Sequence, residues 1–167
     1  MNTNPQKSQK TKIKILFVCL GNICRSPAAE GIMRHLVEVK GCSHRIVVDS
    51  AGIGSWHVGQ LPDYRMRRHG ARHGYDFNSR ARQFSVEDFL KFDYIVGMDE
   101  ENMRDIQRKA RNNSDKSKII CMADYLSRHP HHHEIPDPYY GSDKDFELVI
   151  DLLEDACEQL FIALSNF

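Results

Sequence analysis

The chain has 167 residues, 41% of them hydrophobic and 28% charged, which is the size and composition of one globular domain. Its 23 basic and 23 acidic side chains cancel, so the net charge does not indicate nucleic acid or an anionic membrane as a partner. No stretch approaches the roughly 18 consecutive apolar residues of a membrane-spanning helix.

The first residues of the chain, 1–12, are polar and contain lysines, without the apolar stretch of an export signal. We predict a disordered leader there, followed by a single domain at 13–167. Without an export signal, the expected compartment is the cytoplasm. In that reducing environment the cysteines are expected to be free thiols. They are Cys19, Cys24, Cys42, Cys121 and Cys157.

The first predicted elements are a strand and a helix. The run 13–18 is apolar and rich in β-branched residues, which predicts a buried strand. Ser26 and Pro27 predict a helix start, with Ser26 as the N-cap and Pro27 at the first helical position. The helix would bury one apolar face and end near Gly41. That face contains Ile32, Met33, Leu36 and Val37.

The middle of the chain continues the alternation of strands and helices. A strand is predicted at 46–48 and a basic helix at 65–71. Ser85 and Asp88 have the spacing of a capping box, which predicts a short helix. Another strand is predicted at 94–98.

The last elements complete a fold of the α/β class. Asp99 is predicted to cap a helix, and 119–122 to form a fourth strand. The final helix has a continuous apolar stripe, made of Phe146, Val149, Ile150, Leu153, Cys157, Leu160, Phe161 and Leu164. The alternation predicts a mostly parallel sheet with helices on both faces. Ligands of such sheets bind beyond the carboxyl ends of the strands, which directs attention to the segment after Val18.

The segment after Val18 has the features of a phosphate-binding loop. Main-chain N–H groups of a tight loop before a helix, together with the helix dipole, favour a bound dianion. Gly21 is expected to supply unusual backbone angles, and Arg25 a two-pronged contact with phosphate oxygens. The loop and the start of the helix comprise Cys19, Leu20, Gly21, Asn22, Ile23, Cys24, Arg25 and Ser26.

Cys19 is the candidate nucleophile of this loop. The positive field of the loop favours its thiolate, which would attack phosphorus, and Ser26 could donate a hydrogen bond to its sulfur. A lone cysteine at a strand end is usually a small apolar core residue. The combination of Cys19, five intervening residues, Arg25 and Ser26, set between a strand and a helix, favours the catalytic interpretation.

Asp137 is the candidate general acid, on a loop stiffened by Pro136 and Pro138. It would protonate a leaving phenolate and then take a proton from the attacking water. An Asp-Pro pair alone usually belongs to a turn, so this role depends on the cysteine loop.

The chain resembles the low-molecular-weight protein tyrosine phosphatases. VCLGNICRSPAAE at 18–30 is similar to the family's phosphate loop, and DPYYG at 137–141 to its acid loop. The resemblance implies a four-stranded parallel sheet with helices on both faces. It also implies a hydrolase that forms a phosphocysteine on Cys19 and needs no cofactor or metal. Its substrates would be phosphotyrosine-containing proteins, with a cognate tyrosine kinase as a further partner, and its oligomeric state is left open.

The resemblance also assigns supporting residues. Asn22, Ser26 and Ser50 match the family's loop-supporting hydrogen-bond network, whereas Ser79 stands where animal members have a histidine of that network. The match implies a substrate rim whose aromatic walls select phosphotyrosine. Those walls are Trp56, Tyr139 and Tyr140, with Leu20 and Ile23 at the edge of the pocket.

Cys24 is implied by the same resemblance to be a redox partner. A reversible Cys19–Cys24 disulfide would protect the nucleophile from over-oxidation. An arsenate reductase on the same fold is an alternative function. Those enzymes use a similar loop and then a relay of two further cysteines near the middle of the chain. Here no cysteine lies between Cys42 and Cys121, and those two, with Cys157, are expected to be buried.

Two further functions remain open: a protein-arginine phosphatase and a catalytically silent phosphate-binding module. Arginine phosphatases similar to this chain have Thr in place of Ile23, so Ile23 favours phosphotyrosine. A binding module would not need both Cys19 and Asp137.

Two polar clusters are expected to be solvated. The first contains the histidines at 129 and 131–133, whose spacing does not fit a zinc site. The second contains the arginines of the helix at 65–71.

Overall fold

The computed structural model describes residues 12–166 and contains one parallel sheet. The strands are β1 (Ile13–Cys19), β2 (Ile46–Gly52), β3 (Tyr94–Gly97) and β4 (Ile119–Cys121), in the order β2-β1-β3-β4. All paired strands run parallel. The predicted four-stranded α/β fold is confirmed. The predicted leader, apart from Lys12, lies outside the described residues.

Helices connect the strands. They are α1 (Arg25–Val39), α2 (Tyr64–Arg72), α3 (Asp88–Lys91), α4 (Glu100–Lys109), α5 (Asn113–Ser117) and α6 (Asp143–Leu164). A 3-10 turn at Met122–Tyr125 follows β4. None of the described helices is long and apolar enough to span a membrane.

The central strand β1 is buried on both faces, which explains why its sequence is continuously apolar. Because side chains alternate along a strand, Ile15 and Phe17 enter the core formed with α1 and α6. Leu16 and Val18 enter the second core, on the opposite face, where Ile106 of α4 packs. β1 therefore fixes the position of the loop that follows it.

The apolar stripe of α6 is confirmed, since its residues from Phe146 to Phe161 are buried and Leu164 is partly buried. Ser142 and Asp145 form a capping box at the start of the helix. The N-terminus of α6 is thus fixed directly after the segment that contains Asp137.

The predicted helix caps have different outcomes. Asp99 caps α4 by accepting a hydrogen bond from Asn102 N at 2.8 Å. Ser26 is not an N-cap, because α1 begins at Arg25 and the Ser26 hydroxyl contacts Cys19 instead. Asp88 accepts a hydrogen bond from Ser85 N at 2.8 Å, but α3 begins only at Asp88, and its N-cap lacks a side-chain bond.

The cysteines expected to be buried differ in exposure. Cys157 is buried on the stripe of α6. Cys42 and Cys121 are only half-buried, because Cys42 lies in the connection between α1 and β2 and Cys121 is the last residue of β4. All five are free thiols.

His129 does not belong to a solvated loop, contrary to the prediction. Its Nδ1 lies 2.9 Å from Asp155 Oδ2 and its Nε2 lies 2.8 Å from Asp151 Oδ2, so the ring connects its loop to α6. Hydrogen bonds to Asp155 and then Asp151 raise the pKa of His129. Within 12–166, no cluster of three or more side chains could hold a metal ion.

We predict that His129→Asn destabilises the protein more at about pH 6 than at about pH 9. A histidine whose folded pKa is raised contributes stability below its unfolded pKa and loses it as the pH rises through the folded value. Urea unfolding should reveal a loss of about 1–2 kcal/mol near pH 6 that shrinks near pH 9. His131→Asn, at an exposed position, is the control. An equal loss at both pH values would contradict a charged His129.

Candidate active site

The loop between β1 and α1 depends on one left-handed residue, Asn22, with a φ of 58°. Gly21 does not have a positive φ, so the prediction that it supplies unusual backbone angles is wrong. Its role is steric instead, because a Cβ there would lie 3.1 Å from Cδ2 of His57. The loop therefore turns at an asparagine, and its side chain can also form hydrogen bonds.

The Asn22 side chain connects the loop to two other segments. Its Nδ2 donates to Ser26 Oγ at 2.7 Å and to Ser50 Oγ at 2.9 Å. Its Oδ1 accepts from the main-chain N of Arg82 at 3.0 Å. Ser50 in turn donates to Glu30 Oε1 at 2.7 Å. The structure thus brings together the three predicted supporting residues, Asn22, Ser26 and Ser50, and adds Glu30 of α1.

These bonds set the direction in which the Ser26 hydroxyl donates. The Glu30 carboxylate can only accept, so Ser50 donates to it and accepts from Asn22. Asn22 also donates to Ser26, which leaves the Ser26 proton available for Cys19 Sγ at 3.0 Å. The other acceptor within reach, Ala51 O, is farther away at 3.4 Å. A hydroxyl donor directed at the sulfur favours its thiolate form.

Arg82 is a supporting residue that the sequence analysis missed. Its guanidinium contacts Asp49 at 2.9 and 3.0 Å and Asp88 at 3.2 Å. These ion pairs fix the segment whose main-chain N–H is bonded to Asn22. Ser79 is half-buried and takes no part in the loop hydrogen bonds of the described chain. The only sequence signal for Arg82 is the segment RARQF at 80–84, which does not reveal its acidic partners elsewhere in the chain.

Arg25 is buried at the base of the loop, with a side-chain exposure of 2%. Its Nη1 donates to Asp99 Oδ2 at 2.5 Å and to Ile135 O at 3.0 Å, and its Nη2 lies 3.6 Å from Asp137 Oδ2. Burial alone would lower the pKa of Arg25, but Cys19, Asp99 and Asp137 outweigh it and raise the pKa.

The guanidinium of Arg25 also has a polar atom available for a ligand. Its Nε is buried and has no hydrogen-bond partner within residues 12–166. A buried donor without a partner costs free energy unless a ligand satisfies it, so this atom fits an anion. Asp99, predicted only as a helix cap, thus has a second role in orienting Arg25.

A cavity of about 290 Å³ opens above the loop. It contains every predicted rim residue and one unpredicted residue, His57. The residues that line it are Cys19, Leu20, Gly21, Ile23, Cys24, Arg25, Trp56, His57, Asp137, Tyr139 and Tyr140. Asn22, Ser26 and Ser50 are buried behind this lining.

The acid loop is held by α2. Asp137 Oδ1 accepts from Tyr139 N at 3.1 Å, and Arg65 Nη2 donates to Tyr139 O at 2.9 Å. The Arg65 guanidinium also lies over the Phe146 ring at 4.6 Å. The prediction that the arginines of this helix are solvated is therefore wrong for Arg65, whereas Arg68 forms an exposed ion pair with Asp143 at 2.8 Å.

The two loop cysteines differ in their surroundings. Burial, followed by the charge of Asp63, raises the pKa of Cys24 far above its ordinary value. Cys24 is therefore a neutral thiol near physiological pH. Only Cys19 has a hydroxyl donor directed at its sulfur, so Cys19 is the better nucleophile.

Comparison with known proteins identifies relatives along almost the whole chain. The family model of the low molecular weight phosphotyrosine protein phosphatases matches residues 14–166. A Synechocystis relative named for this class of protein-tyrosine-phosphatase is 51% identical over 92% of this chain and 98% of its own.

Two solved structures extend the comparison. A protein tyrosine phosphatase from Entamoeba histolytica has a TM-score of 0.89 and 45% identity, covering 92% of this chain and 97% of that one. An arginine phosphatase from Drosophila has a TM-score of 0.85 and 34% identity, covering 92% of this chain and 99% of that one.

We predict that Ser26→Ala slows alkylation of Cys19 by iodoacetamide at about pH 6. Loss of a hydrogen bond to a charged atom should reduce the rate about ten-fold or more, because the thiolate fraction falls. Mass spectrometry of the Cys19 peptide measures the rate, and Ser43→Ala, at an exposed position, is the control. Unchanged alkylation in Ser26→Ala would mean that the hydroxyl does not act on the sulfur.

Proposed function

The chain belongs to the low molecular weight phosphotyrosine protein phosphatase family, and from this premise we propose that Cys19, Arg25 and Asp137 hydrolyse phosphotyrosine in proteins. One observation carries the proposal. A cysteine with a directed hydroxyl donor, a buried arginine with an unpaired Nε and a carboxylate line one cavity of about 290 Å³.

Substrate binding would neutralise the phosphate within the loop. Main-chain N–H groups of the loop and the N-terminus of α1 provide partial positive charge. The Arg25 guanidinium adds a full charge and the Nε–H donor that has no partner within residues 12–166. Its fixed contacts with Asp99 and Ile135 O orient the group before substrate arrives, so little ordering is needed on binding.

In the first step, the Cys19 thiolate attacks phosphorus. The S–P bond forms, the bond from phosphorus to the phenolic oxygen breaks, and Asp137 gives its proton to that oxygen. In the second step, Asp137 takes a proton from water as the water oxygen attacks phosphorus. The S–P bond breaks, and its electron pair returns to Cys19 as a thiolate that accepts a hydrogen bond from Ser26. Inorganic phosphate leaves.

Phosphotyrosine is the substrate that the cavity lining favours. Ile23 and the aromatic residues Trp56 and Tyr139 surround the entrance to the loop, which suits a phenyl ring. The guanidinium group of phosphoarginine would instead place polar N–H groups against the apolar side chain of Ile23. A cognate tyrosine kinase as partner, the cytoplasm as compartment, and a single domain at 13–167 are further parts of this proposal.

Cys19→Ser and Asp137→Asn test the catalytic assignment. Cys19→Ser should abolish hydrolysis of a phosphotyrosine peptide. Asp137→Asn should lower kcat by about 100- to 10,000-fold, because the phenolate loses its proton donor. The loss should be smaller with p-nitrophenyl phosphate, whose leaving group needs less protonation. Wild-type activity in Cys19→Ser, or equal losses with both substrates in Asp137→Asn, would contradict these roles.

The same assay distinguishes phosphotyrosine from phosphoarginine as the substrate. Matched peptides with phosphotyrosine or phosphoarginine at one position are compared by kcat/KM. The proposal predicts the higher value for phosphotyrosine. A higher value for phosphoarginine would reassign the substrate while keeping the role of Cys19.

Cys24 would protect the nucleophile during oxidation. Peroxide converts the Cys19 thiolate to a sulfenic acid. The Cys24 sulfur then attacks the Cys19 sulfur to form a disulfide, and the Cys24 proton leaves with the displaced hydroxide as water. Cys24 lines the same cavity, and its sulfur lies close enough for its charge state to depend on Cys19.

We therefore predict that dithiothreitol restores activity after peroxide treatment in the wild type but much less in Cys24→Ser. Without Cys24, the sulfenic acid remains exposed to further, irreversible oxidation. The recovered activity of each protein is divided by its activity before peroxide treatment. Cys42→Ser, at a half-buried position, is the control. Equal recovery in Cys24→Ser and the wild type would exclude the protective disulfide.

A further inference from the structure

His57 lies at the mouth of the cavity, and the catalytic steps do not use it. It follows Trp56 in the loop between β2 and α2. Trp56 is 68% exposed and Tyr140 is 96% exposed, so the cavity opens directly to solvent between loops. A protein substrate that inserts its phosphotyrosine must bring the residues next to the phosphotyrosine to this rim.

One edge of the His57 ring is hydrogen-bonded within its own loop. Its Nδ1 contacts Gln60 Oε1 at 3.0 Å, and because an amide oxygen can only accept, Nδ1 carries the proton. The opposite edge of the ring lies over the phosphate loop. A Cβ on Gly21 would be 3.1 Å from Cδ2 and 3.7 Å from Nε2 of His57. Nε2 takes part in no hydrogen bond made by the described residues.

The other charged groups near the rim are already paired or directed into the cavity. Arg25 and Asp137 face each other at 3.6 Å, and Arg65 pairs with Asp63 at 3.1 Å. The titratable and charged groups that line the cavity together with His57 are Cys19, Cys24, Arg25, Asp137, Tyr139 and Tyr140. Arg80 donates a hydrogen bond at 3.2 Å to the main-chain oxygen of Gly59, in the same loop as His57.

We propose that His57 selects phosphotyrosine sites that have an aspartate or glutamate next to the phosphotyrosine. The imidazolium would pair through Nε2–H with that carboxylate while Nδ1–H remains bonded to Gln60. This inference rests on the proposed function and specifies its substrate class. The pairing needs the charged imidazolium, so the selection strengthens as the pH falls.

The test uses phosphotyrosine peptides that differ only by Asp or Asn immediately before or after the phosphotyrosine. The measured quantity is the Asp/Asn ratio of kcat/KM at about pH 5.5 and about pH 8. Titration of Cys19, Asp137 and the phosphate affects both peptides and cancels in the ratio. For at least one of the two positions, the wild-type ratio should be about two- to five-fold near pH 5.5, the effect of a partly exposed ion pair, and approach one near pH 8.

Two substitutions separate charge from structure. His57→Asn should bring the ratio close to one at both pH values. His57→Lys should keep the ratio above one at both pH values, because lysine remains charged. Arg80→Ala is the control for the neighbouring cation and should retain the wild-type ratios.

The outcomes separate this inference from the function on which it rests. A wild type that hydrolyses all the peptides with ratios near one, or a His57→Asn variant with the wild-type ratios, overturns the inference alone. A His57→Lys variant whose Asp/Asn ratio of kcat/KM falls to one near pH 8 also overturns it. A wild type that hydrolyses none of the phosphotyrosine peptides overturns the proposed function as well.

Discussion

The side chain of Asn22 is the constraint on which the site depends. One amide connects the phosphate loop to Ser26 of α1, to Ser50 of β2 and to the main chain at Arg82. A non-glycine residue at a φ of 58° is unfavourable by itself, but asparagine tolerates the left-handed region better than most residues, and its hydrogen bonds compensate for the cost. The same bonds leave the Ser26 proton available for Cys19. The backbone conformation of the loop and the hydrogen bond that we propose activates Cys19 therefore have one cause.

The sheet brings these groups together because its parallel strands end at one edge. Cys19 ends β1, Ser50 lies near the end of β2, and Asp99 follows β3. Arg25 joins this edge to the segment before the acid loop through its bonds to Asp99 and Ile135 O. Arg25, which we propose binds the phosphate, is thus also a buried packing element. Loss of Asp99 would leave a buried cation with one fewer partner, so stability and activity are expected to be coupled at this position.

The sequence was sufficient for the sheet, the tight loop between β1 and α1, and the apolar stripe of α6, because each is encoded by local spacing. The local sequence pattern predicted the wrong role where a side chain has a more distant partner. Ser26 has the spacing of an N-cap, but its hydroxyl contacts a sulfur seven positions earlier in the chain. Gly21 was assigned to a turn that Asn22 makes. Arg82 and His129 depend on partners 22 to 33 residues away, and Arg65 on one 74 residues away, which no local pattern reveals. His57 was missed because nothing in its neighbours indicates that its ring lies over Gly21.

The central claim is that Cys19 forms a covalent bond with the phosphoryl group. The most direct measurement is a rapid acid quench of the wild-type protein during turnover of a phosphotyrosine peptide, followed by mass spectrometry of the fragment that contains the phosphate loop. The account predicts phosphate on the Cys19 sulfur, appearing before free phosphate and disappearing when substrate is exhausted. Steady turnover with no phosphate on Cys19, or phosphate on another residue, would contradict it.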